Sequence, residues 1–424
     1  MTTTLETPAP TTATRAESRR IDRSWTISLF GTAVGAGILF LPINAGAHGG
    51  WPLIIVTVLI APMTYFAHRG LARFVCASPK QGEDITKVAA DYFGPVTGRI
   101  ITVLYFAAIY PIVLIYGVGI TNTVDSLIVN QLHGPHISRV ILSGVLIAAM
   151  MLVMILGQKL MLIVTQFLVY PLIVLLAGLS IYLIPTWHID ADFMKVQGVG
   201  DLLTSVWIII PVLVFAFNHS PAISQFSLAM ERAHGKGAAE HASRVLAWTA
   251  ALLVIFTMTF VWSCVLSLGA SGLAEARAQN LPVLSYLANV QHTPVIAAMG
   301  PLIAIAAIVS SFFGHYLGTA EGAEGIIRDF APTFAERVGQ KRLRAGIAAF
   351  IFVTTWVVAV LNPSILSLIE SLSGPVIAAL CYLMPMYAIA RVDALARFRG
   401  RASNIFVTVM GFVAISAILY TLVN

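Results

Sequence analysis

The chain has 424 residues, of which 58% are hydrophobic and only 10% are charged, and its formal net charge is +6. This composition is too apolar for an ordinary soluble domain and predicts a polytopic membrane protein. It also argues against nucleic-acid binding, because loop residues that face anionic membrane lipid explain the basic excess.

Eleven apolar segments are long enough to cross a bilayer as helices, which predicts an all-α fold. Residues 1–22, rich in Thr, Ala and Pro near their start, precede them as a predicted disordered cytoplasmic tail. Residues 23–424 then form a single domain. In chain order the segments are 25–45, 51–67, 100–128, 140–156, 160–184, 202–226, 245–268, 295–317, 345–361, 364–388 and 405–423.

The basic residues between these segments set the predicted orientation, since cytoplasmic loops hold an excess of Lys and Arg. With the N-terminus in the cytoplasm and Asn424 outside, only Arg139, Lys195 and Arg277 of the 25 basic residues fall on the outer side. A miscounted segment before the tenth would spoil this separation, so the charge pattern supports the count. Residues 321–344 are the most charged stretch and suit either an inner gate or a solvated loop.

Two segments are interrupted near their middles, the first by residues 31–37 and the sixth by residues 215–221. An unpaired backbone group is costly in hydrocarbon, so a helix unwinds there only where protein or a polar cavity takes up the freed groups. The interrupted segments open two sets of five with opposite orientation, residues 25–184 and 201–390. Residues 401–424 form an additional eleventh helix. Inverted repeats of this kind bind substrate near the midplane, which points to a transporter.

The glycines of the first interruption let a ligand approach the peptide backbone closely. Amides at the start of the outer half-helix suit a carboxylate, and carbonyls at the end of the inner half-helix suit an ammonium group. A zwitterionic amino acid presents both charges. The alternative interpretation is a Gly-rich face for helix packing.

Asn218, His219 and Ser220 form a polar cluster in the second interruption, ahead of the helix-breaking Pro221. His219 is either a satisfied structural residue or a group that senses or relays protons, since a free imidazole titrates near about pH 6.5. His315, in the eighth segment, has the same two interpretations. Beside it, the Ser310 and Ser311 hydroxyls either line an ion site or bond back to their own helix.

Glu370 is the acidic residue that lies well inside the tenth segment. A charge at the bilayer centre costs about 2.5–3.5 kcal/mol, so Glu370 should face a cavity or be protonated, as an outer gate or proton acceptor. A structural hydrogen bond near Gly374 is the alternative. Tyr110, in the third segment, either reaches a substrate carboxylate or packs against neighbouring helices. The cysteines are isolated, without metal-ligand spacing, so no metal site is predicted.

Several motifs in combination resemble the hydroxy and aromatic amino acid permease family, within the amino acid, polyamine and organocation superfamily of LeuT-type transporters. They are similar to the serine and threonine permeases rather than to the tryptophan and tyrosine branch. The matching stretches are residues 31–46, 62–64 with 67–71, 217–221, 314–318 and 373–377.

The resemblance implies a LeuT-type symporter of the bacterial inner membrane that imports serine, with threonine second, in company with protons and without a cofactor. Its partners would be a small amino acid and membrane lipid, and its oligomeric state stays open. By the LeuT-type pattern, one set of residues would cradle the substrate backbone and another would lie opposite. The first set is Thr32, Gly35 and Gly37, and the second is Phe217, Asn218 and Ser220.

In the same pattern, Ser310 and Ser311 match the hydroxyl-bearing stretch that holds sodium in sodium-coupled relatives. The arginine that gates some relatives from the first span is absent here, so Glu370 has no assigned partner. An aromatic amino acid permease and a sodium symporter remain alternatives within transport. A membrane enzyme lacks a His-Glu-x-x-His or similar motif here, and a channel lacks repeated filter loops.

Overall fold

The computed structural model describes residues 15–189, 193–195, 198–290, 293–368 and 374–423. Helices joined by short turns make up nearly all of these ranges, and they contain no β-strand, as the sequence predicts. The helices up to the second interruption are α1 (Arg15–Ala33), α2 (Ala36–Gly46), α3 (Gly50–Cys76), α4 (Ile85–Phe93), α5 (Pro95–Ser126), α6 (Arg139–Ile155), α7 (Gln158–Tyr182) and α8 (Val199–Ala216).

The second half of the chain repeats this pattern of long helices with short connections. Its helices are α9 (Ser220–His234), α10 (Ala238–Ala278), α11 (Val283–Val290), α12 (Pro294–Phe330), α13 (Pro332–Val338), α14 (Gln340–Leu361), α15 (Ile365–Leu368), α16 (Gly374–Ala378), α17 (Met384–Arg391) and α18 (Ala402–Val423).

Eight helical runs of the described residues are long and apolar enough to cross a membrane, and the bent pair α1 and α2 makes a ninth. Two shorter apolar helices, Arg139–Ile155 and Val376–Arg391, lie where the fourth and tenth spans are predicted. Each predicted segment therefore coincides with apolar helix. The count of eleven remains a prediction, because the two short helices do not qualify by length.

Both predicted interruptions are present. The axes of α1 and α2 differ by 51°, and Gly35 leads into α2 with an extended backbone (φ −144°, ψ −150°). The second interruption covers residues 217–219, between the end of α8 and the start of α9. The charged stretch 321–344 is not a solvated loop, because it forms the last turns of α12, all of α13 and the start of α14.

The broken helices occupy the interior of the bundle. Phe30, Phe40, Phe217 and Phe226 lie on α1, α2, the second interruption and α9, and all four are fully buried. Around them pack α3, α7, α10 and α12, and α12 in turn makes its most extensive contact with α5. The large apolar side chains that remain exposed, such as Phe167 and Trp248, lie on the outer helices, where lipid would cover them.

Candidate functional site

The two helix breaks face each other at Gly37. A Cβ atom on Gly37 would lie 2.7 Å from the Ala216 Cα and 2.8 Å from the Phe215 ring, both in the last turn of α8. Contacts this close exclude any side chain at Gly37. The start of α2 therefore packs directly against the end of α8, in the arrangement that the inverted repeat predicts.

Hydroxyl groups of α12 bind the end of the inner half-helix α1. The Ser310 hydroxyl donates to the Gly31 carbonyl at 3.3 Å, and it also reaches the Ala307 carbonyl of its own helix at 3.2 Å. The Ser311 hydroxyl donates to the Thr32 carbonyl. Carbonyls at a helix end have no partner within that helix, so these serines satisfy groups that the break has freed.

Tyr116 of α5 extends this contact, because its hydroxyl lies 2.6 Å from the Ser311 Oγ. The Ser311 proton points to the Thr32 carbonyl, which can only accept. Tyr116 must therefore donate to Ser311, and the three groups form a chain. Beneath them, a Cβ on Gly35 would lie 2.5 Å from the Ser311 Cβ and 2.8 Å from the Tyr116 hydroxyl, so this contact also requires glycine.

The structure does not bring the predicted Tyr110 to the breaks. Its ring stacks between Phe106, at a centroid distance of 4.8 Å, and Phe350 of α14, at 5.5 Å. Tyr116, six residues further along α5, occupies the position at the first break instead. A tyrosine next to Gly117 in an apolar segment was the available signal for it.

Thr32 contributes its carbonyl, not its hydroxyl, to the cluster at the first break. The hydroxyl donates to the Ser28 carbonyl of its own helix at 2.9 Å. The Thr32 side chain packs on Gly314, where a Cβ would lie 2.5 Å from the Thr32 Cγ2. The hydroxyl group and the methyl group of Thr32 therefore both contact other parts of the protein.

His315 also belongs to the first break. Its Nδ1 lies 2.9 Å from the Ser311 carbonyl, and its ring meets the Tyr116 ring edge-on at 5.2 Å. Because the carbonyl accepts, this Nδ1 carries a proton. His315 therefore supports the residues that hold the Thr32 carbonyl.

At the second break, local hydrogen bonds explain how α8 stops and α9 starts. The Phe217 and Asn218 amides bond to the Leu213 and Phe215 carbonyls, at 3.0 and 3.1 Å. The Asn218 Oδ1 then accepts from the Ser220 amide at 3.1 Å, which satisfies a free donor at the start of α9. Asparagine at this position favours a new helix N-terminus.

A histidine pair spans the second break. The His68 Nε2 on α3 accepts the backbone N–H of His219 at 3.1 Å, and the two buried rings stack with centroids 3.6 Å apart. The His219 Nδ1 lies 3.1 Å from the Phe217 carbonyl. His68 was not among the predicted site residues, although it directly follows the apolar segment 51–67 and lies within one of the motifs that carry the family resemblance.

Two cavities lie near these residues. Ser220 lines a small one of about 10 Å³ together with Tyr105 and Ile377. A larger one, of about 1470 Å³, runs between α6, α12 and α14 from charged residues near the end of α12 to Tyr316, the neighbour of His315. Gln225 of α9 donates to Glu321 at 2.7 Å in its wall. Glu370 lies outside the described residues.

A third polar cluster joins the N-terminal part of α1 to α9 and α10. The Asp22 carboxylate lies 2.9 Å from the His234 Nε2 and 3.2 Å from the His241 Nδ1. These three side chains are close enough for a metal ion, with ligand atoms within 4.8 Å of one another. Since each imidazole can donate to the carboxylate, hydrogen bonds alone account for the geometry.

Comparison with known proteins adds independent findings. The model of the tryptophan/tyrosine permease family matches residues 24–423. The chain is 47% identical to the serine transporter SdaC of Escherichia coli (strain K12), with 100% of both chains covered. It is 40% identical to the threonine/serine transporter TdcC of Escherichia fergusonii, covering 95% of this chain and 96% of the relative.

A solved structure of MhsT in complex with L-phenylalanine is similar at a TM-score of 0.62 and 15% identity, covering 98% of this chain and 99% of that one. At this identity the likeness concerns the fold, and it confirms the predicted LeuT-type architecture.

Proposed function

The chain belongs to the tryptophan/tyrosine permease family, and from that premise we propose that it imports serine, with threonine as a second substrate. The predicted resemblance is confirmed, and the chain is a secondary transporter rather than an enzyme. One structural observation carries the proposal. The two helix breaks meet at Gly37, in a chain whose full-length relatives transport serine or threonine.

Backbone groups of the first break would hold the common part of an amino acid. The first amides of α2, at Ala36 and Gly37, stand at a helix N-terminus that favours a carboxylate. The same groups would hold any amino acid, so they do not select serine.

Asn218 is the proposed contact for the serine side chain. Its Nδ2 is buried and forms no hydrogen bond of good geometry in the described residues, although it approaches the His68 ring. A buried donor without a partner is costly. The hydroxyl of serine or threonine would accept from it, whereas an aromatic side chain would leave it unsatisfied.

Protons are the proposed coupling ion. Two imidazoles meet at the second break, that of His219 and that of His68 on α3. Because a free imidazole titrates in the physiological pH range, this pair favours proton coupling. The proposed orientation has a cytoplasmic N-terminus and an outer C-terminus, as the basic residues indicate.

The deciding experiment is uptake of labelled serine into proteoliposomes under an imposed gradient. We expect accumulation driven by an inward proton gradient without sodium, competition by threonine and little competition by tryptophan. Uptake that requires sodium would overturn the coupling and leave the substrate intact. Preference for tryptophan over serine would overturn the substrate, whatever the coupling ion.

A further inference from the structure

We infer that His68 is a positioning residue that holds the second break in place only while its imidazole is neutral, so that a proton on His68 releases the break. The inference rests on the proposed transport function, because it names the group through which protonation acts on the site. It stands on the contacts of His68 and His219, which join α3 to the unwound segment.

The tautomer of His68 follows from its two neighbours. Its Nδ1 lies 2.8 Å from the Thr64 carbonyl, an obligatory acceptor, and therefore carries a proton. Its Nε2 accepts the N–H of His219 at 3.1 Å and therefore carries the lone pair. His68 is thus held as the neutral Nδ1–H form, and this form alone makes both bonds.

A proton on the His68 Nε2 would turn the acceptor into a donor that faces the N–H of His219. The bond that ties the break to α3 would be lost, and the amide of His219 would be free to bind another acceptor. The stacking limits the pair to one proton, since two charged rings at 3.6 Å would repel each other. Protonation of the His68 Nε2 and release of the break are therefore one event.

Protonation of His219 would have a different effect. Its Nδ1 faces the Phe217 carbonyl, and its Nε2 has no hydrogen-bond partner in the described residues. A proton could enter there without breaking an existing bond. Protonation of His219 alone would therefore leave the break attached to α3, and the two imidazoles compete for one proton, which releases the break only when it is on His68.

His219 is the titratable group that faces His68. Several other ionisable groups on α3 and on the elements packed against it have contacts elsewhere within the described chain. Arg69 donates to Ser403, Arg73 lies over the Phe398 ring and Cys76 contacts the Ser227 carbonyl. Glu231 of α9 accepts from the Gly82 amide, and Tyr387 of α17 packs on Phe93.

Two substitutions separate a structural from a titrating role. In His68→Gln the side-chain oxygen can still accept the N–H of His219 but cannot become charged, whereas His68→Ala removes the acceptor. His315→Gln is the matched comparison, since His315 is equally buried and bonds the carbonyl four residues back in the same way.

Exchange of labelled serine across the membrane, without an imposed gradient, is measured from about pH 5 to 8. We expect exchange by the wild type to vary with pH, exchange by His68→Gln to be retained with a flat profile, and His68→Ala to lose about tenfold. His315→Gln should keep the pH dependence. The inference would be overturned if serine exchange by His68→Gln depended on pH as it does in the wild type. It would also be overturned if His315→Gln were the only variant whose exchange did not depend on pH.

Hydrogen–deuterium exchange of residues 215–221 tests the release directly, after correction for the intrinsic effect of pH. We expect faster exchange at low pH in the wild type and in His315→Gln, and no pH effect in His68→Gln. Equal pH effects in all three proteins would refute the release. Hydrogen–deuterium exchange tests the role of His68 independently of the coupling ion. If serine uptake does not depend on the proton gradient, the proposed proton coupling is wrong, but this measurement still tests the release of the break.

Discussion

The two helix breaks are held by different chemistry. At the first, serine and tyrosine hydroxyls bind backbone carbonyls, as in the chain Tyr116, Ser311, Thr32. At the second, an asparagine and a pair of imidazoles bind backbone amides and carbonyls. Hydroxyls keep their protons across the physiological range, whereas imidazoles do not. His315 also stands at the first break, but its Nδ1–H can donate to the Ser311 carbonyl whether the ring is neutral or charged. The first break should therefore be a constant part of the site, and the second should respond to pH.

The largest effect is expected from Gly35→Ala at the first break. The added methyl would lie 2.5 Å from the Ser311 Cβ, and overpacking of this kind costs about 1–3 kcal/mol. We expect serine uptake to fall by about tenfold or more, together with a lower thermal unfolding temperature. Gly178→Ala on α7 is the control, because a Cβ there meets nothing within 4 Å. Equal uptake by the two variants would show that the first break tolerates expansion.

The next effect is expected from Ser311→Ala, which leaves the Thr32 carbonyl and the Tyr116 hydroxyl without their partner. Each buried unsatisfied group costs about 1–3 kcal/mol. A double-mutant cycle with Tyr116→Phe should give a coupling energy of about 0.5–3 kcal/mol in thermal unfolding. Uptake should fall at every pH with an unchanged profile. If the loss of uptake in Ser311→Ala depended on pH, the first break would respond to pH as well, and the proposed difference between the two breaks would be wrong.

Asn218→Ala and Asn218→Asp separate two roles of one side chain at the second break. Loss of the bond from the Ser220 amide to the Asn218 Oδ1 in the alanine variant should destabilise the protein by about 1 kcal/mol. The aspartate variant keeps an oxygen that accepts from Ser220 but lacks the Nδ2 donor, so it should bind serine more weakly. Its carboxyl group is buried, so its unfolding temperature should fall as pH rises and the group ionises. Asn130→Ala, at an exposed position after α5, is the control. Unchanged serine binding in Asn218→Asp would remove Asn218 from the site.

The smallest effect is expected from Asp22→Asn, away from both breaks. The carboxylate accepts from His234 and His241, and an amide oxygen can keep only one of these bonds. The cluster is partly exposed, so we expect a loss of about 1 kcal/mol in unfolding free energy or less. Serine affinity should stay the same. A change in affinity would mean that the N-terminal part of α1 and the first break move together.

The features that the sequence predicted correctly are local ones. Glycine, proline and asparagine break helices through their own backbone chemistry, so the positions of both interruptions follow from residues 31–37 and 215–221. The partners of the breaks do not follow in this way. Which face of α5 meets α12 depends on how the helices pack, and Tyr116 reaches Ser311 while Tyr110 turns toward Phe350. His68 went unnoticed for the same reason, because its partner lies 151 residues away.

Helix α12 is long enough to connect the first break with the large cavity. It runs through 37 residues, which makes a rod about 55 Å long. One stretch of this rod carries the serines that hold the first break, and another carries Glu321 and Glu324 in the wall of the large cavity. A compound bound in that cavity would therefore contact the same helix that holds the first break, at a position separate from the break itself.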